Sequence, residues 1–181
     1  DGLVGRELKG KTVGVVGTGA IGSRVAELCH LFGCEIAAYD LFPKKNAPEY
    51  LHYGTLEEVL SKSDIVTLHC PLTDDSKNLI NQERIAQMKK GAILINAARG
   101  PIVDSKALAD ALNNGYLRGA GVDVFEMEPP LPMDHPLLHS INTIVTPHIA
   151  FASDESMEIR AKIVFENIQK WMNKEQVNTI L

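Results

Sequence analysis

Short apolar segments alternate with helical patterns along most of the 181-residue chain. The apolar segments have the length and composition of buried strands, and the segments between them repeat apolar residues at the spacing of a helix. Six strands are predicted, at residues 12–17, 35–39, 65–68, 92–95, 118–122 and 143–145, and four helices, at residues 20–32, 56–61, 81–88 and 105–114. Strands that alternate with helices imply an α/β fold with a parallel, doubly wound sheet.

Two of these elements carry more detailed predictions. Ile21, Val25, Leu28 and Phe32 recur at helical offsets, so they are expected to form the buried stripe of the first helix. The apolar residues 92–95 are expected to form a strand that is buried on both faces, as in other parallel sheets.

Composition and charge restrict the partners of the chain. With 45% hydrophobic and 23% charged residues, it has the composition of one globular domain. Its net charge of -5 gives no electrostatic footprint for nucleic acid, and no apolar run reaches the roughly 18 residues that span a bilayer. Cys29, Cys34 and Cys70 lack CxxC spacing and form no ligand pattern with the histidines. We therefore expect no metal, and reduced thiols in a cytoplasmic protein.

The C-terminal segment from Ser153 onward differs from the alternating part. Its apolar residues recur at helical spacing after a polar start, at Met157, Ala161, Val164, Ile168 and Trp171. This pattern predicts an amphipathic helix of about five turns. Its apolar face either covers the same sheet or leads back toward a second domain.

A glycine-rich segment, GTGAIG, joins the first predicted strand to the first predicted helix. Gly17 permits a tight turn, Gly19 lets the backbone approach a pyrophosphate at the positive helix N-terminus, and Gly22 allows close packing of helix on strand. A GxGxxG in this position is typical of a Rossmann dinucleotide-binding domain. The alternative is that the glycines serve the turn alone.

Asp40 follows the second predicted strand, eighteen residues after Gly22. In this position a carboxylate accepts hydrogen bonds from both ribose hydroxyls of an adenosine. A 2′-phosphate there would place like charges about 4 Å apart, a repulsion of roughly 1–4 kcal/mol, so NAD is expected in preference to NADP. The nearby Lys44 and Lys45 would soften this discrimination. The alternative role for Asp40 is that of a solvated residue at a strand end.

Arg99, Glu128 and His148 lie beyond predicted strand ends, where a doubly wound sheet binds its ligand. Each has a structural alternative, because Arg99 can pair with an acid such as Asp123, Glu128 can be a solvated loop residue, and His148 follows a proline turn. Together they suit redox chemistry on an oxyacid. The cation holds the anion, the imidazole moves a proton, and the carboxylate keeps the imidazole protonated.

Several segments occur in an order that resembles the D-isomer-specific 2-hydroxyacid dehydrogenases, the family that includes phosphoglycerate, glycerate, D-lactate and formate dehydrogenases. They are VGTGAIG with Asp40 beyond it, LHCPLTDDSKNLIN, INAARGPIVD, GAGVDVFEMEPP and TPHIA. The match runs from about Leu8 to the C-terminus, so it covers nearly the whole chain.

The resemblance implies a set of site residues. In the family, the arginine, glutamate and histidine of these motifs are catalytic, which corresponds to Arg99, Glu128 and His148. Arg99 would hold the carboxylate and C2 oxygen of a 2-keto or 2-hydroxy acid, His148 would exchange a proton with that oxygen, and Glu128 would orient His148. The implied NAD contacts are Gly17, Gly19, Ala20, Ile21, Gly22, Asp40, Cys70, Pro71, Ala97, Ala98, Arg99, Asp123 and His148.

The resemblance also implies a domain organisation. Family members build a substrate domain from an N-terminal segment and the C-terminal tail. Residues 1–150 are then the NAD-binding Rossmann domain, residues 151–181 are a C-terminal helix and tail that return toward the substrate domain, and the N-terminal part of that domain is absent. We expect this chain alone to bind NAD without turning over a 2-hydroxy acid. Phe151, in HIAFAS, stands where many relatives continue with glycines and is expected to narrow the substrate end of the cleft.

The expected function is hydride transfer between NAD(H) and a small 2-hydroxy or 2-keto acid of the phosphoglycerate, glycerate or lactate type, by a homodimer. Two other classes stay open. A non-catalytic NAD-sensing module that binds partner proteins, as in corepressors of this fold, can retain the catalytic residue types. A methyltransferase that binds S-adenosylmethionine through the glycine loop would leave Arg99, Glu128 and His148 unexplained.

Overall fold

The computed structural model describes residues 4–127 and 130–178. The chain divides between Pro147 and His148 into two compact units. The first unit contains the sheet, and the second contains one long helix.

Seven parallel strands form the sheet of the first unit, in the order β3-β2-β1-β4-β5-β6-β7. They are β1 Thr12–Val16, β2 Glu35–Tyr39, β3 Leu51–Tyr53, β4 Ile65–Leu68, β5 Ile93–Asn96, β6 Gly119–Val122 and β7 Thr143–Val145. The chain order reverses at β1, which lies between β2 and β4, so the carboxyl end of β1 is the point where such a sheet opens a ligand crevice. The predicted doubly wound α/β fold is confirmed.

Four α-helices connect the strands, and three of them begin at a residue whose polar side chain caps the helix N-terminus. They are α1 Ala20–Leu31, α2 Leu56–Lys62, α3 Gln82–Gln87 and α4 Ser105–Asn113. Thr55 and Glu58 form a capping box at α2, while Asn81 and Asp104 accept backbone hydrogen bonds at the starts of α3 and α4. These side chains satisfy N–H groups that have no partner inside the helix, which explains where the helices begin.

Two clusters of buried side chains cover the two faces of the sheet. The larger one joins α2, α3 and α4 to β4, β5 and β6, with Leu60, Leu94 and Leu108 fully buried. The smaller one packs Ala26 of α1 against β1 and β2. Successive residues of β1, Val15 and Val16, belong to different clusters, as expected for a strand with helices on both sides.

The predicted buried stripe of α1 is wrong. Ile21 is 70% exposed and Phe32 is 65% exposed, whereas the buried residues of the helix are Gly22 and Ala26. At Gly22 the reason is the close packing of α1 on the turn after β1, since a Cβ on Gly22 would lie 1.9 Å from the carbonyl oxygen of Gly17. Only small residues fit at that distance, so the large apolar side chains lie on the outer side of the helix.

Two strands also differ from the prediction. The residue between Leu94 and Asn96 in β5, Ile95, is 37% exposed, so this strand is not buried on both faces. Ile95 pairs in register with Thr67 and Gly121, and Gly121 has no side chain to cover it. The edge strand β3 was not predicted at all.

The second unit contains α5, Asp154–Met172, which begins at a capping box formed by Ser153 and Ser156. The predicted helix is confirmed, and none of its residues is buried. Whether its apolar face belongs to this sheet or to a second domain stays a prediction. Among the residues that the structure describes, no helix has both the length and the apolar composition needed to cross a membrane.

Replacing Gly22 by alanine should destabilise the fold. Alanine is normally preferred over glycine in a helix by about 0.5–1 kcal/mol. Here its Cβ would meet the backbone of Gly17, which cannot rotate away, so we expect a loss of about 1–3 kcal/mol in the free energy of unfolding. Urea unfolding followed by circular dichroism measures this change.

The control is Gly19→Ala, because no heavy atom lies within 4 Å of a Cβ placed on Gly19. Alanine is less favourable than glycine at a helix N-cap by roughly 1 kcal/mol or less, so we expect Gly19→Ala to lower the free energy of unfolding by less than Gly22→Ala does. A Gly22→Ala variant as stable as the parent would show that the close packing of α1 is not required.

Candidate functional site

The glycine loop between β1 and α1 has the shape of a phosphate-binding turn. Gly17 has a φ of +93°, and a Cβ on it would lie 2.6 Å from the backbone nitrogen of Cys70. Gly19 is the N-cap residue of α1, and no side chain among the described residues caps that helix. Because the space around Gly19 is open, the first N–H groups of α1 are available to a ligand anion.

The carboxylate of Asp40 is bonded to this loop. Its Oδ2 accepts hydrogen bonds from the backbone N–H of Thr18 at 2.6 Å and from the Thr18 hydroxyl at 2.9 Å. Its Oδ1 accepts one from the N–H of Phe42 at 2.9 Å. Thr18 is 1% exposed, and its hydroxyl lies 2.8 Å from the hydroxyl of Tyr53 in β3. The edge strand β3, which the sequence did not predict, therefore supports the glycine loop.

These contacts keep Asp40 ionised. Partial burial alone would raise the pKa of its carboxyl group, but the N–H groups of Thr18 and Phe42, the Thr18 hydroxyl and the charge of Lys44 together lower that pKa below its ordinary value. A carboxylate has about four acceptor positions, and the three hydrogen bonds leave one of them, on Oδ1, for a ligand.

The segment after β4 lies against the glycine loop. The N–H of His69 donates to the carbonyl of Val16 at 2.7 Å, and Cys70 follows it beside Gly17. Burial raises the pKa of the Cys70 thiol, and the negative charge of Asp40 raises it further. Cys70 is therefore a neutral thiol at the edge of the crevice, and Pro71 beyond it is exposed.

The turn that carries Arg99 is organised by Asn96, which the sequence did not single out. The Asn96 side chain is 1% exposed, accepts a hydrogen bond from the N–H of Ala98 at 3.1 Å and donates one to the carbonyl of Arg99 at 3.1 Å. An asparagine at a strand end commonly folds the next residues in this way, which is the signal that could have identified it. Gly100 packs so tightly that a Cβ on it would overlap the carbonyl of Phe125.

The Arg99 side chain is exposed, while Ala98 before it is buried and Ala97 is exposed. One N–H of its guanidinium donates to the carbonyl of Ala98 at 2.7 Å. The sequence analysis left open an ion pair between Arg99 and Asp123. The ion pairs found between described residues do not include one that contains Arg99.

Asp123, the residue after β6, is held by the neighbouring strands. It is buried, its N–H donates to the carbonyl of Asn96 at 2.9 Å, and its carboxylate accepts a hydrogen bond from the hydroxyl of Thr146. The predicted site residues of the first unit therefore follow the carboxyl ends of neighbouring parallel strands. They are Gly17, Gly19, Ala20, Ile21, Gly22, Asp40, Cys70, Pro71, Ala97, Ala98, Arg99 and Asp123.

The two other predicted catalytic residues are placed differently. Glu128 lies outside the described residues. His148 is the first residue of the second unit and has a φ of +56°. Its ring meets the ring of Phe151 edge-on at 6.2 Å, and the guanidinium of Arg160 lies 5.3 Å from the centre of the Phe151 ring. The predicted pairing of Glu128 with His148 stays a prediction.

A carboxylate–imidazole pair that the sequence did not reveal lies in the first unit, in the chain between β6 and β7. Glu126 lies 3.1 Å from Nε2 of the buried His135 and accepts a hydrogen bond from the Ser105 hydroxyl at 2.7 Å. Burial would raise the pKa of Glu126, but the bonds from Ser105, the backbone and His135 lower it. Since Ser105 begins α4, this pair fixes the loop after β6 to that helix. Within the described ranges, no three His, Cys, Asp or Glu residues are grouped to hold a metal ion.

Comparisons with known proteins agree with this arrangement. The family model for the D-isomer specific 2-hydroxyacid dehydrogenase, NAD binding domain, matches residues 1–150. Glyoxylate reductase of Thermofilum pendens is 44% identical over 169 residues, which are 92% of this chain and 50% of that protein. D-3-phosphoglycerate dehydrogenase of Bacillus subtilis is 44% identical over 172 residues, which are 92% of this chain and 32% of that protein.

Comparison with solved structures also finds a 2-hydroxy acid dehydrogenase similar to this chain. The structure of D-lactate dehydrogenase from Aquifex aeolicus, complexed with NAD and lactic acid, has a TM-score of 0.89 and 36% sequence identity. The match covers 97% of this chain and 57% of that one. The chain therefore spans between about a third and about half of the length of the two curated relatives named above.

The role of Asp40 in holding the glycine loop can be tested with Asp40→Asn. The variant loses the charge that accepts three hydrogen bonds, so we expect its free energy of unfolding at pH 7 to fall by about 1–3 kcal/mol. Because the pKa of Asp40 is lowered by folding, its stabilising effect is present above the unfolded pKa of about 3.9 and is lost as the pH falls through the folded value. The difference between parent and variant should therefore shrink below about pH 4.

Urea unfolding at several pH values measures this difference, with Asp75→Asn at an exposed turn as the control. A constant difference from pH 7 to pH 3 would show that the ionised carboxylate does not hold the loop.

Proposed function

The chain belongs to the D-isomer specific 2-hydroxyacid dehydrogenase family, and we propose that it supplies the cofactor-binding part of an NAD-dependent oxidoreductase. The full-length enzyme would interconvert a small 2-hydroxy acid and the corresponding 2-keto acid. The observation that carries this proposal is one crevice edge with three features: an open glycine loop, an ionised Asp40 beside it, and the exposed Arg99 two strands away.

The residues of the loop fit a dinucleotide. Gly19 and the uncapped first turn of α1 would bind the pyrophosphate, together with Gly17, Ala20, Ile21 and Gly22. Asp40 has one acceptor position left for a hydroxyl of the adenosine ribose. This edge of the sheet continues toward Arg99 with Cys70, Pro71, Ala97 and Ala98, and Asp123 lies beyond Arg99, after β6. When bound, NAD(H) supplies the hydride acceptor or donor of the reaction.

The charge of Asp40 also supports the choice of NAD over NADP. A 2′-phosphate about 4 Å from the carboxylate would be repelled by roughly 1–4 kcal/mol. Lys44 lies close enough to lower the pKa of Asp40, but its ammonium donates to the hydroxyl of Ser23 at 2.6 Å. This bond directs the lysine charge toward α1, so we expect it to reduce the discrimination only in part.

Arg99 is suited to hold the substrate anion. Its planar guanidinium has five N–H donors, and the bond to the carbonyl of Ala98 anchors the group. The donors that remain match the carboxylate and the C2 oxygen of a 2-keto acid. The buried Asn96 fixes the backbone on both sides of this turn, which keeps the guanidinium in position.

His148 and Glu128 would handle the proton. His148 donates a proton to the C2 oxygen in the direction of reduction and accepts one in the direction of oxidation. Glu128 would keep the imidazole protonated and oriented. Both roles come from the family motifs, and both require the full-length protein.

The organisation of the whole protein is also part of the proposal. Residues 1–150 would be the nucleotide domain, and residues 151–181 would return toward a substrate domain. We further propose a homodimer in the cytoplasm. The free thiols of Cys29, Cys34 and Cys70 are consistent with a reducing compartment, and the exposed apolar residues of α1 are consistent with an interface.

Three substitutions in the full-length enzyme test these roles. Arg99→Gln should raise KM and lower kcat together, because the cation acts on both the bound substrate and the transition state. His148→Ala should lower kcat by roughly 10²- to 10⁴-fold, as for the loss of a general acid. Glu128→Gln should move the pH optimum to lower values, since the imidazole would lose its proton more readily. The measurement is NADH oxidation with a panel of 2-keto acids.

Arg118→Gln is the matched control, because Arg118 is exposed and precedes β6 at the opposite edge of the sheet. The 181-residue chain alone should show no turnover. Unchanged kinetics in both Arg99→Gln and His148→Ala would contradict the catalytic roles of these residues. A full-length parent that binds NAD but reduces none of the 2-keto acids would contradict the enzyme and favour a non-catalytic NAD-sensing module.

A further inference from the structure

We propose that Cys29 and Cys34 form a redox-active pair that closes a reversible disulfide across the C-terminal end of α1, with a small-molecule disulfide such as oxidised glutathione as the oxidant. This modification site is independent of the cofactor crevice. Both cysteines are free thiols in the structure, and so is Cys70, which lies beside Gly17.

The end of α1 places the two cysteines side by side. The chain turns at Gly33, which has a φ of +83°. The N–H of Gly33 donates to the carbonyl of His30 at 2.8 Å, and the N–H of Cys34 donates to the carbonyl of Cys29 at 3.0 Å. This pair of bonds is the Schellman motif, in which the residues at the positions of Cys29 and Cys34 commonly have side chains in contact.

The backbone distance suits a disulfide. Standard bond lengths and a hydrogen bond of 3.0 Å limit the separation of the two Cα atoms to about 7.2 Å when all atoms lie in line. The bend at the carbonyl oxygen reduces this separation further, into the range of about 4.4–6.8 Å that disulfides occupy.

The surroundings of the thiols give them different roles. Cys34 is buried in the smaller core cluster, and its thiol donates to the carbonyl of Leu8 at 3.3 Å. Cys29 is partly exposed at the margin of the same cluster, so it is the thiol that a reagent from solvent can reach. Burial raises the pKa of both thiols, and the neighbouring Cys34 raises that of Cys29 further, as expected for two groups close together.

The exchange is balanced with one oxidised glutathione. The Cys29 thiolate attacks one glutathione sulfur, forms a mixed disulfide and releases one glutathione thiolate. The Cys34 sulfur then attacks the Cys29 sulfur, forms the Cys29–Cys34 bond and releases the second glutathione thiolate. The two cysteines are oxidised by two electrons, oxidised glutathione is reduced to two thiols, and the two cysteine protons end on those thiols.

Two consequences follow from the raised pKa of each thiol and from the bond to Leu8. The fraction of thiolate is small at neutral pH, so formation of the disulfide should accelerate as the pH rises. Oxidation also removes the S–H donor to Leu8, which precedes β1. The turn before the sheet therefore loses one of its contacts.

Peptide mapping of the 181-residue chain tests the proposal. The reduced protein is incubated with oxidised glutathione at pH 7.0 and 8.5, remaining thiols are alkylated, and the tryptic digest is analysed by mass spectrometry. Both cysteines fall in the peptide of residues 25–44, between Arg24 and Lys44. We expect this peptide to lose two hydrogens and to resist alkylation, faster at pH 8.5, and dithiothreitol to reverse the change.

The variants separate the two steps. Cys70→Ser should form the bridge as the parent does, whereas Cys34→Ala should stop at a glutathione adduct on Cys29. The proposal is overturned if the parent peptide stays fully alkylatable, if it also stops at the glutathione adduct, or if Cys29 bonds to Cys70 or to a second chain. The parent result stands without the variants, so a variant that does not fold leaves the test intact.

Discussion

The contact between the β1–α1 turn and the segment after β4 is the constraint on which the candidate cofactor site depends. Gly17 allows the two backbones to approach so closely that a side chain could not fit, and Gly22 allows α1 to pack over the same turn. This packing directs the N-terminus of α1 toward the crevice at the carboxyl end of the sheet. The positive end of the helix and its unpaired N–H groups are then available to an anion.

Asp40 links this constraint to ligand choice. Most of its hydrogen-bonding capacity is spent on Thr18 and Phe42, so the residue acts first as a support for the loop and only then as a partner for a ribose. The two roles use the same negative charge. A change at Asp40 that relaxes the choice between NAD and NADP is therefore expected to loosen the glycine loop as well, unless another acceptor for Thr18 is introduced.

The sequence was sufficient for the overall fold, because the alternation of apolar runs and helical patterns is strong over most of the chain. It failed where a single element depends on distant packing. The three residues Leu51–Tyr53 carry no periodic signal, yet β2 pairs with them and Tyr53 supports Thr18. In α1, Gly22 and Ala26 are the buried residues, and Gly22 packs directly on the turn after β1. A periodicity of large apolar residues cannot reveal this close packing.

The same distinction holds for the candidate site. Gly17, Gly19 and Asp40 are recognisable because their spacing reflects local backbone geometry. The bonds from Glu126 to His135 and Ser105 join residues that no local pattern connects. Asn96 lies between these cases, since its role in the Arg99 turn is local but the residue type alone is common in turns.

An amide NMR titration of the 181-residue chain with NAD tests the central claim most directly. We expect the largest shifts at the N–H groups of Thr18, Gly19, Ala20, Phe42 and Ala98, which lie along the carboxyl edge of the sheet, and weaker binding of NADP at the same amides. The absence of shifts at millimolar NAD, or shifts confined to the opposite edge around Asp64 and Arg118, would contradict the claim that the glycine loop and Asp40 form an NAD site.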